Sequence, residues 1–204
     1  MKKTLALIFA VLMIVSCFTA CGGTGSGDDT STTSGGSDSI MVPEESLDDV
    51  KYGSFGKFTA VDLAGNKVTE DIFKGKKLTM INIWATFCGP CIGEMPDLET
   101  LSREYADKDF QIIGIVCDVN YTPDSTGYDA DLYASALDIV EMTSVTYKNL
   151  LPSNSLDMIK LMEVYSVPET IFVDETGEIV GTNYVGSRSY ESWKAIVDSI
   201  LETM

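Results

Sequence analysis

One stretch constrains this chain more than any other. The apolar run Leu78-Thr79-Met80-Ile81-Asn82-Ile83-Trp84-Ala85 passes through Thr86 and Phe87 directly into Cys88-Gly89-Pro90-Cys91. The run is partly β-branched and lacks polar alternation, as suits a central strand buried on both faces. Beyond the cysteines, Ile92, Met95, Leu98, Leu101 and Tyr105 recur at three- or four-residue spacing, the period of a helix with one buried face. Pro90 fits a first helical turn, and Gly89 leaves room for another backbone to approach. The cysteine pair therefore sits where a buried strand hands over to a helix N-terminus.

That position has chemical consequences. A helix N-terminus presents unpaired N–H groups and a partial positive charge, and both favour a thiolate over a thiol. Cys88 is accordingly the candidate nucleophile. Cys91, a turn further on, faces the same side and should be the more buried. It can attack a mixed disulfide on Cys88 and release the reduced partner. Two cysteines this close close too small a loop to staple a domain; such a pair is redox-active or metal-binding. The chain holds five cysteines and no histidine. Cys117, at the end of a second apolar run, is expected to be a buried, inert thiol, with a third redox cysteine as the alternative.

The N-terminal fifth of the chain reads differently. Lys2 and Lys3 precede an apolar run from Leu5 to Val15, shorter than the roughly 20 residues a membrane-spanning helix needs. A basic start, a short apolar core and small residues after it form an export signal, with an uncleaved anchor as the alternative. Ser16-Cys17 and Ala20-Cys21 each resemble the lipobox of bacterial lipoproteins, whose cysteine is diacylated. Cys21, followed by Gly22 and Gly23, is the preferred lipidation site and Cys17 the rival. Residues 22–39 contain only Gly, Ser, Thr and Asp, too little apolar surface to offset the entropy of ordering. Such a tether spans roughly 20–25 Å. The expected organisation is a signal over 1–20, a lipidated cysteine and tether over 21–53, and one domain over 54–204. That places the domain at the extracytoplasmic face of the cell membrane. The net charge of −17 argues against nucleic acid or an anionic membrane surface as partner.

Within the domain, residues 58–62 and 68–73 read as a hairpin, 78–85 as a strand and 92–105 as a helix that Pro96 should kink. Residues 110–117 form a second buried strand and 120–127 a loop. Helices are expected over 131–142 and 156–165, with an extended piece near 145–147 between them. Strands over 169–174 and 179–184 join at a tight turn, and a helix over 190–201 closes the chain. This order implies an α/β fold with a mixed central sheet and helices on both faces.

Trp84-Ala85-Thr86-Phe87-Cys88-Gly89-Pro90-Cys91 resembles the active-site motif of thioredoxin-fold proteins. The continuation Ile92-Gly93-Glu94-Met95-Pro96 and the later Val167-Pro168-Glu169-Thr170-Ile171-Phe172-Val173-Asp174 resemble the membrane-anchored thiol–disulfide oxidoreductases of the TlpA/ResA type, over about residues 54–204. The resemblance implies a thioredoxin fold with an added N-terminal β-hairpin and a redox disulfide between Cys88 and Cys91. It implies a cis peptide bond before Pro168 beside the pair, Trp84 packed next to it, and Glu94 as a carboxylate serving proton transfer; a solvated glutamate favoured by the helix dipole is the alternative reading of Glu94. It implies no cofactor and no metal. Its partners would be disulfide-bonded exported clients, such as apocytochrome c in cytochrome c maturation or damaged secreted proteins, and a membrane protein that donates electrons. The Gly-Pro spacer is that of thioredoxin, whose potential is about −270 mV against about −120 mV for the oxidant DsbA, so the expected direction is reduction.

Rival classes meet obstacles in the residues. A peroxiredoxin-type peroxidase would want a proline where Met80 stands, and a copper chaperone of the Sco type would need a histidine ligand. A non-catalytic binding lipoprotein would tolerate loss of both cysteines.

Overall fold

A computed structural model describes residues 46–120 and 127–204. The signal, the lipidation cysteines, most of the tether and residues 121–126 of the expected loop lie outside the described residues.

Strands β1 (Thr59–Val61) and β2 (Lys67–Thr69) pair antiparallel as a small hairpin. The second arm is shorter than expected. Thr69 accepts the Asp71 N–H and turns residues Glu70–Phe73 into a 3-10 helix. β3 (Leu78–Trp84) follows, then α1 (Gly89–Glu104) and β4 (Phe110–Val116). α2 (Ala130–Met142) is capped by Asp129, whose carboxylate accepts the N–H groups of Asp131 and Leu132.

β5 is two residues, Asn149–Leu150, and falls later than the expected 145–147. Thr146 gives its N–H and hydroxyl to Glu99, each at 2.7 Å, so a helix carboxylate holds this segment in place of a sheet neighbour. The expected helix over 156–165 is instead α3 (Asn154–Ile159), capped by Ser153, and a 3-10 turn at Leu161–Glu163. Lys160 breaks it: its backbone leaves helical geometry and its ammonium reaches Glu169 at 2.6 Å. β6 (Glu169–Val173), β7 (Ile179–Val185) and α4 (Tyr190–Thr203) complete the chain as expected.

The main sheet runs in the order β5-β4-β3-β6-β7. β3 is parallel to β4 and antiparallel to β6, so it is central and every one of its residues is buried. Leu78, Met80 and Trp84 pack with α1, α2 and α4. Ile81 and Ile83 pack with the hairpin, the first 3-10 helix and α3 on the opposite side. Burial on both faces explains why the run shows no alternation. The result is the mixed α/β architecture of a thioredoxin fold with an N-terminal strand pair.

Candidate functional site

β3 ends at Trp84, three residues carry the chain out of the sheet, and Cys88 occupies the N-cap of α1. Pro90 stands in the first turn, where its missing N–H costs no helical bond. Met95, Leu98, Leu101 and Tyr105 form the buried stripe that fixes the helix against the sheet. Pro96 lies inside this one helix without ending it.

Cys88 and Cys91 are joined as a disulfide, with Cα atoms 5.3 Å apart. The Cys91 N–H donates to Cys88 Sγ at 3.2 Å. Cys88 is 6% exposed and Cys91 0%, so the sulfur nearer solvent is the one the helix terminus favours as a thiolate. Cys88 Sγ lies 3.6 Å from the carbonyl oxygen of Val167. The Val167–Pro168 peptide bond is cis, so Pro168 follows directly on the carbonyl that meets Cys88.

Trp84 is wholly buried, packed in the cluster that contains both cysteines, and donates its indole N–H to Asn149 Oδ1 at 2.9 Å. Phe87 is the aromatic that meets solvent at the site, 77% exposed.

Glu94 is 3% exposed. Its Oε2 accepts the Arg188 N–H at 3.0 Å and the Trp193 indole N–H at 3.1 Å, and its Oε1 accepts Asn82 Nδ2 at 3.0 Å. Burial pushes its carboxyl above the ordinary range, against the opposing pull of these three bonds. It is therefore not the solvated glutamate a helix start would accommodate, but a buried acid on the face of α1 that carries Cys91.

Cys117 is half-buried rather than fully enclosed, and burial together with the nearby Asp118 carboxylate pushes its thiol up to about 11. Among the described residues there is no cluster of three metal-ligating side chains, and no helix long and apolar enough to cross a membrane.

Three features escape a reading of the sequence by motif. Asn82 is the amide in the apolar run of β3, and it bonds both Glu94 and Thr170. Asp118, just beyond β4, grips Thr86 on the segment leading to Cys88. Lys160 and Glu169 form a buried ion pair next to Pro168. A polar residue inside or just past a buried strand is the signal that could have pointed to the first two.

A dithiol–disulfide pair at the N-cap of a helix, beside a cis-proline and on a mixed sheet, defines a thioredoxin-type redox centre. The redoxin family profile matches residues 48–197. The chain is 30% identical over 142 residues to the thioredoxin-like protein YneN of Bacillus subtilis, covering 69% of this chain and 75% of that one. It is 27% identical over 133 residues to the thiol-disulfide oxidoreductase ResA of Bacillus thuringiensis, covering 60% of this chain. The match spans 63% of the ResA chain, less than two thirds of its length. Among solved structures, a thiol:disulfide interchange protein of the thioredoxin family from Chlorobium tepidum superposes with a TM-score of 0.57 at 23% identity, over 75% of this chain and 99% of that one. StoA from Bacillus subtilis gives 0.52 at 16% identity, over 71% and 98%. At these identities the two structures speak for the fold alone. The chain belongs to the redoxin family, among the thiol–disulfide oxidoreductases of the TlpA/ResA type.

Proposed function

We propose that the protein is an extracytoplasmic, lipid-anchored reductase of disulfides in exported proteins, apocytochrome c among the candidate clients, working through Cys88 and Cys91. The observation that carries this reading is the placement of Cys88 at the N-cap of α1, its sulfur 3.2 Å from the Cys91 N–H and nearer solvent than Cys91.

In the forward reaction the Cys88 thiolate attacks one sulfur of a client disulfide, and the other sulfur departs as a thiolate. Cys91 gives up its proton and attacks Cys88 Sγ. The Cys88–Cys91 disulfide closes and the second client thiolate leaves. The client gains two electrons and two protons. A dithiol on a membrane electron-donor protein returns the protein to its reduced form. Glu94, three residues beyond Cys91 on the same face of α1, is the candidate to take the Cys91 proton, with its basicity raised by burial. Pro168 and the Val167 carbonyl flank Cys88 where a client strand would lie.

The export signal and the Gly/Ser/Thr/Asp tether support the location, with Cys21 as the acylated residue and Cys17 as the alternative. Two acyl chains anchor stably where one does not. The thioredoxin spacer supports the direction.

The test is trapping. In Cys91→Ser the second step is blocked, so clients accumulate as mixed disulfides on Cys88, and mass spectrometry names them; Cys88→Ser traps none. Failure of the reduced wild type to accelerate insulin reduction overturns the activity, and a potential near about −120 mV reverses the direction. Retention of radioactive palmitate by Cys21→Ala would move the anchor to Cys17.

A further inference from the structure

We infer that Asp118 is a positioning residue for the nucleophile, holding the segment that delivers Cys88 to the head of α1. The inference rests on the reading of Cys88 as the attacking sulfur.

The two parallel strands beneath the site stop pairing just before it. The last ladder partners are Trp84 and Val116, and the last backbone bond is Cys117 N–H to Trp84 O at 2.8 Å. Ala85, Thr86 and Phe87 must then leave the sheet for Cys88 to reach the helix start. Within that departure the Cys88 N–H bonds back to Ala85 O at 3.0 Å. The Thr86 N–H has lost its strand neighbour, and an unpaired N–H at this point would be costly and would leave the segment free to shift.

Asp118, the residue after the last backbone bond, supplies the missing acceptor. Both carboxylate oxygens lie 3.0 Å from the Thr86 N–H, and Oδ2 accepts the Thr86 hydroxyl at 2.6 Å. The side chain thus extends the β3–β4 pairing by one residue, with charge-assisted bonds stronger than the backbone bond they replace. With Thr86 pinned at both N–H and hydroxyl, Phe87 is turned to solvent and Cys88 arrives in the extended geometry of an N-cap.

Charge and geometry oppose each other at Asp118, so their effects separate in sign. A carboxylate close to the segment that carries Cys88 disfavours its thiolate by Coulomb repulsion. Were charge all that mattered, removing Asp118 would lower the Cys88 thiol pKa and, at a pH below that pKa, raise the thiolate fraction and speed the reaction. Were placement what matters, removal would slow it, since an error of about 1 Å at a reacting group can cost ~100-fold.

The experiment measures the second-order rate of reduced protein with a soluble aromatic disulfide, and the Cys88 thiol pKa, for Asp118→Ala, Asp118→Asn, Thr86→Val and the double variant Asp118→Ala/Thr86→Val. Thr86→Val leaves the carboxylate charge in place; Asp118→Asn removes the charge but keeps an acceptor for the Thr86 N–H. The expected result is a loss of about tenfold in Asp118→Ala and in Thr86→Val, near wild-type rate in Asp118→Asn, and no further loss in the double variant, as for two residues acting as one unit. If Asp118→Ala does not fold, the rate of Thr86→Val decides. Rates at or above wild type in Thr86→Val and Asp118→Ala overturn the inference. A wild type that does not react at Cys88 overturns the functional reading instead, so the two failures are distinct.

Discussion

Asn82 Nδ2 lies 3.0 Å from Glu94 Oε1 and 3.1 Å from Thr170 Oγ1, while Asn82 Oδ1, equally buried, meets no hydrogen-bond partner. In this orientation the amide serves an ionised Glu94. A half-turn of the same amide presents Oδ1 to the O–H of a protonated Glu94. The buried acid therefore has a neighbour suited to each of its protonation states, as a group that takes up and gives back a proton requires.

That relationship gives stability a readable pH dependence. Burial raises the folded pKa of Glu94 above its unfolded value, so the fold favours the neutral acid. Its contribution is fully present below the unfolded value of about 4.3 and is lost as pH rises through the folded value, at ~1.4 kcal/mol per unit of difference. Glu94→Gln carries no such loss. The difference in unfolding free energy between Glu94→Gln and wild type, from urea titrations, is expected to move in the variant's favour as pH rises. The lowered acids Asp62, Glu99 and Asp174 act oppositely, losing stability as pH falls, but they are common to both proteins and cancel. A difference that stays flat with pH would show that Glu94 is not the titrating group.

Alkylation of the reduced protein should strike one sulfur. Cys91 is wholly buried, and the Cys117 thiol is pushed up to about 11. At pH ~8 only roughly one Cys117 in a thousand is a thiolate, the reactive form. Brief iodoacetamide treatment followed by peptide mapping is expected to find the adduct on Cys88. Rapid labelling of Cys117 would mean that burial and the Asp118 carboxylate do not hold that thiol protonated.

The buried pair Lys160–Glu169 offers a sharper stability test. Its atoms are 2.6 Å apart, both residues are nearly excluded from solvent, and Glu169 also accepts from Asn183 at 2.9 Å. Lys160→Met strands a carboxylate and should cost about 3–5 kcal/mol. Replacing both partners, as Lys160→Met/Glu169→Leu, should restore much of that loss, because two apolar side chains need no partner. Chemical denaturation compares the three proteins.

Gly114→Ala probes the setting of Trp84. A Cβ at position 114 would stand 1.8 Å from Asn149 Oδ1, the atom that accepts the Trp84 indole N–H. Asn149 must move, and the indole bond is lost with it. Overpacking of this kind costs about 1–3 kcal/mol. The expected outcome is a lower melting temperature with an altered tryptophan fluorescence spectrum; an unchanged spectrum would mean that Asn149 yields without disturbing Trp84.

The parts of this molecule legible in its sequence are those governed by local period and by one dense motif. β3, α1, β4, β6, β7 and α4 follow from apolar runs and helical spacing, and the cysteine pair from its junction between strand and helix. The illegible parts depend on distant partners. β5 is displaced because Glu99 claims Thr146, and the helix before Pro168 breaks because Lys160 leaves to meet Glu169. Likewise Asp118 and Asn82 matter through residues 32 and 12 positions away, and no window along the chain brings these together. Helical spacing puts Glu94 on the face of Cys91, but its burial becomes visible only with Trp193 and Arg188 folded over it.

The seclusion of Cys91 has a consequence for traffic at the site. With a single sulfur open to attack, the molecule that delivers electrons and the molecule that collects them must use the same doorway, one after the other. On the proposed cycle they are mutually exclusive occupants, so turnover should follow ping-pong kinetics, and an excess of either should hold the other off.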